Sequence, residues 1–381
     1  MDPSLSEGMA DAALAFRGYN VTNLGRTAEL LEAPAYRAAL AEELQRYSAI
    51  CSDVIAAPVD LVRLVEERLE PGIDRYAEAV ALIVAVEIAQ LRLLREVHGI
   101  DYKDARLAFG YSLGELTAVC NGGAFAAEDL IRVPLAMARA CVELARDAEM
   151  GVLFSRGERI VEADVRRLCG EVTCEGRGTI GISSVLSPNS YLLIGQGYSV
   201  DRFKERMPAA LPPDAHIRIN SYRWPPLHTP IVRQRQVPDR ASVMMECLKP
   251  GTLPPKPAVI SLVTGKRGYE PHTARELLRQ WIDQPQRLWD AMCETLAAGV
   301  ESIVHIGPEP NLIPATFARL SENVMQQNGG RSAASYGRRA VSRMLKRPWL
   351  TSLLPARAAL LRAPYVRHVI LEDWLLDNAP K

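Results

Sequence analysis

The chain has 381 residues, with 45 Lys and Arg against 45 Asp and Glu, and is 48% hydrophobic and 24% charged. That length predicts about two to three domain-sized units around a substantial core, and the composition excludes a disordered chain, a collagen-like repeat and a small disulfide-stapled scaffold. The zero net charge is uneven: residues 331–381 carry ten Lys/Arg against three acids, a local balance of +7, which leaves −7 on the first 330.

Ala12–Phe16 is a short apolar run that predicts a strand, followed by a loop with Gly18 and Asn20. Residues 27–70 read as helical segments. Residues 73–97 predict the longest helix, so dense in Ala, Val, Leu and Ile that most of its sides should be buried. Arg106–Phe109 predicts a second strand, running through Gly110-Tyr111-Ser112-Leu113-Gly114-Glu115 into a helix at Leu116–Cys120. One more helix is expected over 127–146. The rhythm then changes to strand 151–155, helix 162–169, strands 179–185 and 191–194, helix 199–207 and strand 216–220. This β-α-β-β-α-β order is the ferredoxin-like split arrangement. A Pro-rich loop, Trp224–Pro230, returns the chain to its main body. A strand is expected over 257–264, two helices over 273–298 broken at Pro285, and a strand over 301–306 leading into Gly307-Pro308. Gly329-Gly330 reads as a hinge before the basic tail.

Seven cysteines (51, 120, 141, 169, 174, 247, 293) form no pair of CxxC motifs and no Cys/His cluster with zinc spacing, so no metal site is expected. Cys169 and Cys174 read as buried thiols in a reducing compartment. The N-terminus lacks a basic segment followed by an apolar one, and Ala79–Val86 falls far short of the ~20 apolar residues that span a bilayer. The expectation is a cytoplasmic protein with no transmembrane segment. No phosphate-binding Gly-rich loop or dinucleotide fingerprint occurs, so no tightly bound nucleotide cofactor is expected. The arginines of the tail have few interleaved aromatics, which argues against a nucleic-acid partner.

The most informative residues are Gly110–Glu115. Gly-x-Ser-x-Gly between a strand and a helix is a nucleophile elbow: the turn leaves no room for side chains two residues either side of the serine. Ser112 is thereby held at a helix N-terminus, and the N–H of Leu113 faces the place where an oxyanion would form. Such a serine needs a base. Among six histidines, His98 ends a helix, His216 and His305 lie in strands, His272 lies in a loop and His368 in the tail. His228, stiffened between Pro226 and Pro230 where the chain leaves the small subdomain, is the candidate.

Gly110-Tyr111-Ser112-Leu113-Gly114-Glu115 resembles the Gly-His-Ser-Leu-Gly-Glu motif of malonyl-CoA:acyl carrier protein transacylases and the acyltransferase domains of fatty acid and polyketide synthases. Phe16-Arg17-Gly18 stands where that family has Phe-Pro-Gly. Ser187-Pro188-Asn189-Ser190-Tyr191 with Gly195 is similar to its Asn-Ser-Pro strand, and Leu227-His228-Thr229-Pro230 to the segment bearing its histidine. Val304-His305-Ile306-Gly307-Pro308 with Leu312 resembles its closing Gly-Pro loop. The resemblance covers about residues 12–325. It implies an α/β fold, a large α/β-hydrolase-like subdomain with a parallel sheet (1–147 and 217–330) carrying an inserted ferredoxin-like subdomain (148–216). Residues 331–381 are a basic C-terminal extension outside it.

Carried over by position, the resemblance makes Ser112 the nucleophile, His228 the base, and the N–H groups of Leu113 and Tyr19 the oxyanion donors. It orients the histidine with a backbone carbonyl, expected from Arg287 or Gln286. The departures cluster at the site: Tyr111 replaces a histidine, Tyr19-Asn20-Val21-Thr22 replaces Gln-Gly-Ser-Gln, Leu186 replaces an asparagine, and Met137 replaces the arginine that binds a malonyl carboxylate. Arg139, two residues on, faces another way on a helix. Tyr111, Met137, Leu186, Leu227 and Arg287 are the expected pocket residues. The implied activity is acyl transfer between coenzyme A and the phosphopantetheine thiol of an acyl carrier protein through an acyl-serine, with an acyl group that need not be malonyl. Acyl-CoA is a substrate here, with no tightly bound cofactor. Two alternatives stay open: an editing acyl-thioester hydrolase on the same scaffold, and a carrier-binding protein that keeps the fold without the activity. The basic tail is expected either to steer an acidic carrier or to pack its apolar segments on the body, its arginines facing acidic surface.

Overall fold

Ala12–Phe16 has apolar side chains at all five positions and all five are buried, so both faces of this strand must be covered. The computed structural model describes residues 5–329 and 359–380, and in it that strand is the middle of a six-stranded sheet. In chain order the strands are β1 (Ala12–Phe16), β2 (Leu107–Gly110), β3 (Ala148–Ser155), β4 (Ile180–Ser187), β5 (Ser190–Gln196), β6 (Ala215–Asn220), β7 (Val259–Ser261), β8 (Lys266–Arg267), β9 (Ser302–Ile306) and β10 (Arg367–Ile370). The large sheet has the order β10-β9-β1-β2-β7-β8. Its pairings are parallel except for the short β7–β8 hairpin.

The helices used below are α1 (Pro34–Ile55), α2 (Tyr76–Glu96), α3 (Leu113–Asn121), α4 (Arg132–Leu144), α5 (Glu162–Cys174), α6 (Ser199–Ala210), α7 (Val237–Glu246), α8 (Ala274–Asp283), α9 (Leu288–Ala297), α10 (Leu312–Gly329) and α11 (Leu371–Asp377). Alternation along β1 splits the core. Ala12, Leu14 and Phe16 join a large cluster with α1, α2 and α4, while Ala13 and Ala15 join a second with α9 and α10. As the sequence predicts, α2 is buried on most sides.

The small sheet is antiparallel, with order β4-β5-β3-β6 and α5 and α6 packed on it, which is the ferredoxin-like topology. It is stitched to the large body where Gln286 bridges β4: its N–H donates to Ser183 O at 2.9 Å and its carbonyl accepts from Val185 N at 2.9 Å. The fold is α/β, a parallel-dominated sheet with a ferredoxin-like unit inserted, as expected.

Details differ from the sequence reading. The helix expected over 127–146 is broken, a single turn at Ala127–Leu130 preceding α4. Pro134 lacks an N–H and its ring would clash with the carbonyl four residues back in a continuous helix. The strand expected over 257–264 is only β7. Cys169 is buried but Cys174, at the end of α5, is exposed. Most of the basic extension lies outside the described residues, and its described part is structural. β10 extends the large sheet beside β9, and α11 buries Leu371 and Leu375. Arg362 does not face acidic surface: it is buried and donates to the carbonyls of Leu296 (2.7 Å) and Val300 (2.8 Å), capping the end of α9. No helix among the described residues is long and apolar enough to cross a membrane.

Candidate active site

β2 ends at Gly110 and α3 begins at Leu113, leaving a turn so tight that backbone nearly touches backbone. A Cβ on Gly110 would fall 2.1 Å from the Gly114 carbonyl carbon, and one on Gly114 would fall 2.4 Å from the carbonyl oxygens of Phe16 and Arg17. Ser112 sits at φ 53°, ψ −117°, a conformation non-glycine residues rarely adopt. The strain is held from both sides: Ser112 N–H donates to Gln286 Oε1 at 3.1 Å, and Trp281 Nε1–H donates to Ser112 O at 2.9 Å. One turn along α3, the buried Glu115 accepts from Leu262 N (3.1 Å) and the Tyr269 hydroxyl (2.6 Å), tying the elbow to the end of β7. Burial pushes this carboxyl up to about 7.

His228 is buried, also at positive φ (63°), and its Nε2 lies 2.7 Å from Ser112 Oγ. Its Nδ1 lies 2.6 Å from the Trp281 carbonyl, and its backbone N–H donates to Ile282 O at 2.8 Å. A carbonyl can only accept, so Nδ1 carries the proton and Nε2 is left to accept from the serine hydroxyl. Burial lowers the imidazole to about 4, against opposing effects from the Trp281 carbonyl and Asp283. The ring is therefore a neutral acceptor at pH 7. The carbonyls that grip it are the last of α8, the negative end of that helix dipole, which favours a proton arriving on the ring.

On the far side of Ser112 lies the loop after β1. A Cβ at Gly18 would fall 3.2 Å from Ser112 Cβ and 2.5 Å from Tyr111 O, so only glycine lets this loop reach the elbow. Among the described residues, the N–H groups of Leu113 and Tyr19 have no hydrogen-bond acceptor. The Tyr19 ring meets Tyr76 edge-on at 4.9 Å and Trp224 at 6.0 Å, and burial raises its phenol to about 12.

The structure brings Ser112 and His228 together and separates some of their expected neighbours. The carbonyl that orients His228 belongs to Trp281, on the last turn of α8, not to Gln286 or Arg287. The Gln286 carbonyl is taken by Val185 N and Ser184 Oγ, and its side chain serves Ser112 instead. Arg287 is no free pocket cation: its guanidinium pairs with Asp290 (2.5 Å) and Glu162 (3.3 Å). Met137 and Leu227 are buried in the large cluster, while Tyr111 and Leu186 pack against the second. They flank the sheet from opposite faces. Arg139 is 93% exposed and pairs with Glu143. Sequence reasoning missed Trp281, whose position at the end of an amphipathic helix just before Pro285 was the available signal.

No protein-family model matches the chain. Among solved structures, FabD from Acinetobacter baumannii superposes with a TM-score of 0.64 at 19% identity, covering 82% of this chain and 91% of that one. MCAT from Streptococcus pneumoniae gives 0.63 at 19% identity, covering 80% and 91%. A type II polyketide malonyl-transacylase, PlMCAT, solved in complex with its acyl-carrier protein AntF, gives 0.60 at 23% identity, covering 80% and 92%. The likeness is one of fold: the chain is built as malonyl-CoA:acyl carrier protein transacylases and polyketide acyltransferase domains are.

Proposed function

We propose that the protein is a serine acyltransferase that moves an acyl group from coenzyme A to the phosphopantetheine thiol of an acyl carrier protein. The observation that carries this reading is the line Ser112 Oγ–His228 Nε2–Nδ1–Trp281 O, with contacts of 2.7 and 2.6 Å. As Oγ attacks the thioester carbonyl, its proton passes to Nε2, and the tetrahedral oxyanion is received by the N–H groups of Leu113 and Tyr19. Collapse breaks the C–S bond, and the departing thiolate takes the proton from His228. The carrier thiol then attacks the acyl-serine by the same steps in reverse order. The carbonyls at the end of α8 stabilise the imidazolium that forms, and the Asp283 carboxylate, paired with Arg233, adds a weaker favourable charge. This is a dyad oriented by main chain.

The acyl group is uncharged on this reading. A buried carboxylate left without a cationic partner costs roughly 3–5 kcal/mol, and Met137 supplies an adaptable apolar surface where a malonyl-binding arginine would stand. Tyr111, Leu186 and Leu227 are the neighbours that the resemblance implies for that acyl group. Seven free thiols suit work in the reducing cytoplasm. Incubating the protein with acetyl-CoA and weighing it intact tests the reading. A stable acyl adduct on Ser112 that discharges onto a holo-carrier supports transfer; rapid release of free acid would make it a hydrolase. No adduct at all would leave a carrier-binding protein without chemistry.

A further inference from the structure

Arg17 is completely buried, although it stands in an otherwise apolar stretch between β1 and the loop that reaches Ser112. Burial lowers its guanidinium to about 10, which leaves it charged at neutral pH. Every branch of that fork is used. Nε–H donates to the Gly18 carbonyl at 2.8 Å, one terminal nitrogen to the Pro308 carbonyl, and the other to Thr22 O (3.2 Å) and Asn23 Oδ1 (2.9 Å). Asn23 in turn accepts from Asn20 N at 2.9 Å and donates to Asn20 O at 2.8 Å. The alkyl stem is pinned too: a Cβ on Gly307 would fall 2.6 Å from Arg17 Cγ and 3.1 Å from Cγ of the buried Glu87 on α2.

The bond to Gly18 has a particular meaning. The Gly18 carbonyl and the Tyr19 N–H belong to one planar peptide unit and point in opposite directions, so fixing one fixes the other. A cationic donor on the carbonyl also draws electron density through the amide and makes the N–H a stronger donor. We propose that Arg17 is a positioning residue for the reaction: through the Gly18 carbonyl it sets and polarises the Tyr19 N–H as an oxyanion donor, with Asn23 bracing the same loop. The inference rests on the acyltransferase reading and adds a residue to it.

Single-turnover acylation of Ser112 by acetyl-CoA tests it, alongside binding of acetyl-CoA to a Ser112→Ala background and of an alkyl boronic acid, whose serine adduct is a tetrahedral anion. Arg17→Lys keeps the charge but loses the planar fork. It should slow acylation at saturation about 10- to 100-fold and weaken the boronate by a similar factor, while acetyl-CoA affinity stays within about twofold. The double variant Arg17→Met/Glu87→Gln, which removes the cation together with the buried acid that acts on it most strongly, should lose as much or more. Asn23→Ser should show the same split at roughly 3- to 10-fold. Wild-type rates in a folded variant would overturn the proposal, as would equal losses in substrate affinity and rate, or failure of all three variants to fold, either of which marks a purely structural residue. If wild-type protein forms no acyl-serine, the acyltransferase reading falls and takes this one with it; if wild type acylates and the variants match it, this one alone fails.

Discussion

The two sides of Ser112 are held by different kinds of contact. His228 is gripped by main chain, its ring by the Trp281 carbonyl and its backbone by that of Ile282. The loop carrying Tyr19 is held by side chains, Arg17 and Asn23 within it and Glu70 beneath it, whose carboxylate accepts from Asn23 N (2.5 Å) and Leu24 N (3.2 Å). Main-chain contacts survive changes of residue, whereas side-chain contacts must be replaced as a set. The base side therefore tolerates changes of side chain, while the facing loop, Arg17-Gly18-Tyr19-Asn20, depends on its own set of bracing side chains.

Substitutions can break this contrast. The largest effect is expected from Ser112→Ala, which removes the atom both sides serve; intact-mass measurement should show acylation reduced by at least ~10⁴-fold. Next is acyl choice, where side chains alone decide. Neutral acyl-CoAs should acylate the protein about 10²- to 10³-fold faster than malonyl-CoA in competition assays, and a preference for malonyl would disprove the reading of an uncharged acyl group.

The pH profile probes the main-chain side. With His228 lowered from 6.5 to about 4, the single-turnover acylation rate should be level from pH 8 to 5 and fall tenfold per unit below about 4. A midpoint near 6.5 would mean an imidazole open to water. The same shift affects stability. Because the unfolded chain binds the proton more readily, the contribution is full above pH 6.5 and is lost as pH falls towards about 4. The loss is on the order of 3 kcal/mol, measurable by denaturant titration. The smallest effect is expected from Trp281→Phe. It deletes the Nε1–H donor to Ser112 O but keeps the carbonyl that orients His228, so acylation should drop less than about 10-fold.

Much of this was legible from residue order. β1, the elbow and the β-α-β-β-α-β insertion follow from local patterns, and the glycines at 110 and 114 declare a turn that no side chain fits. The pairing of His228 with Ser112 needed a stiff loop and the resemblance together. The orienting carbonyl was assigned to the wrong residue because every residue has a carbonyl; only the direction of α8 decides that Trp281 presents its own. Arg17 was invisible for another reason. Hydrophobic periodicity cannot show that an arginine is wholly buried when its partners, Thr22, Asn23 and Pro308, are backbone atoms and an amide brought together by the fold. The alternation that splits Met137 and Leu227 from Tyr111 and Leu186 likewise appears only once β1 is seen inside the sheet.

The position of β10 has a consequence for how this molecule avoids sticking to others. Among the described residues β10 is the outermost strand on that side of the large sheet. It is four residues long, carries Arg367 and His368, and leaves His368 exposed. Short charged edges of this kind discourage intermolecular strand pairing. The next strand inward, β9, reads Ser-Ile-Val-His-Ile and is buried at every position. Removing the C-terminal segment would therefore offer solvent an apolar template with a row of open amides and carbonyls, and aggregation, more than any change in chemistry, would be what the experimenter saw first.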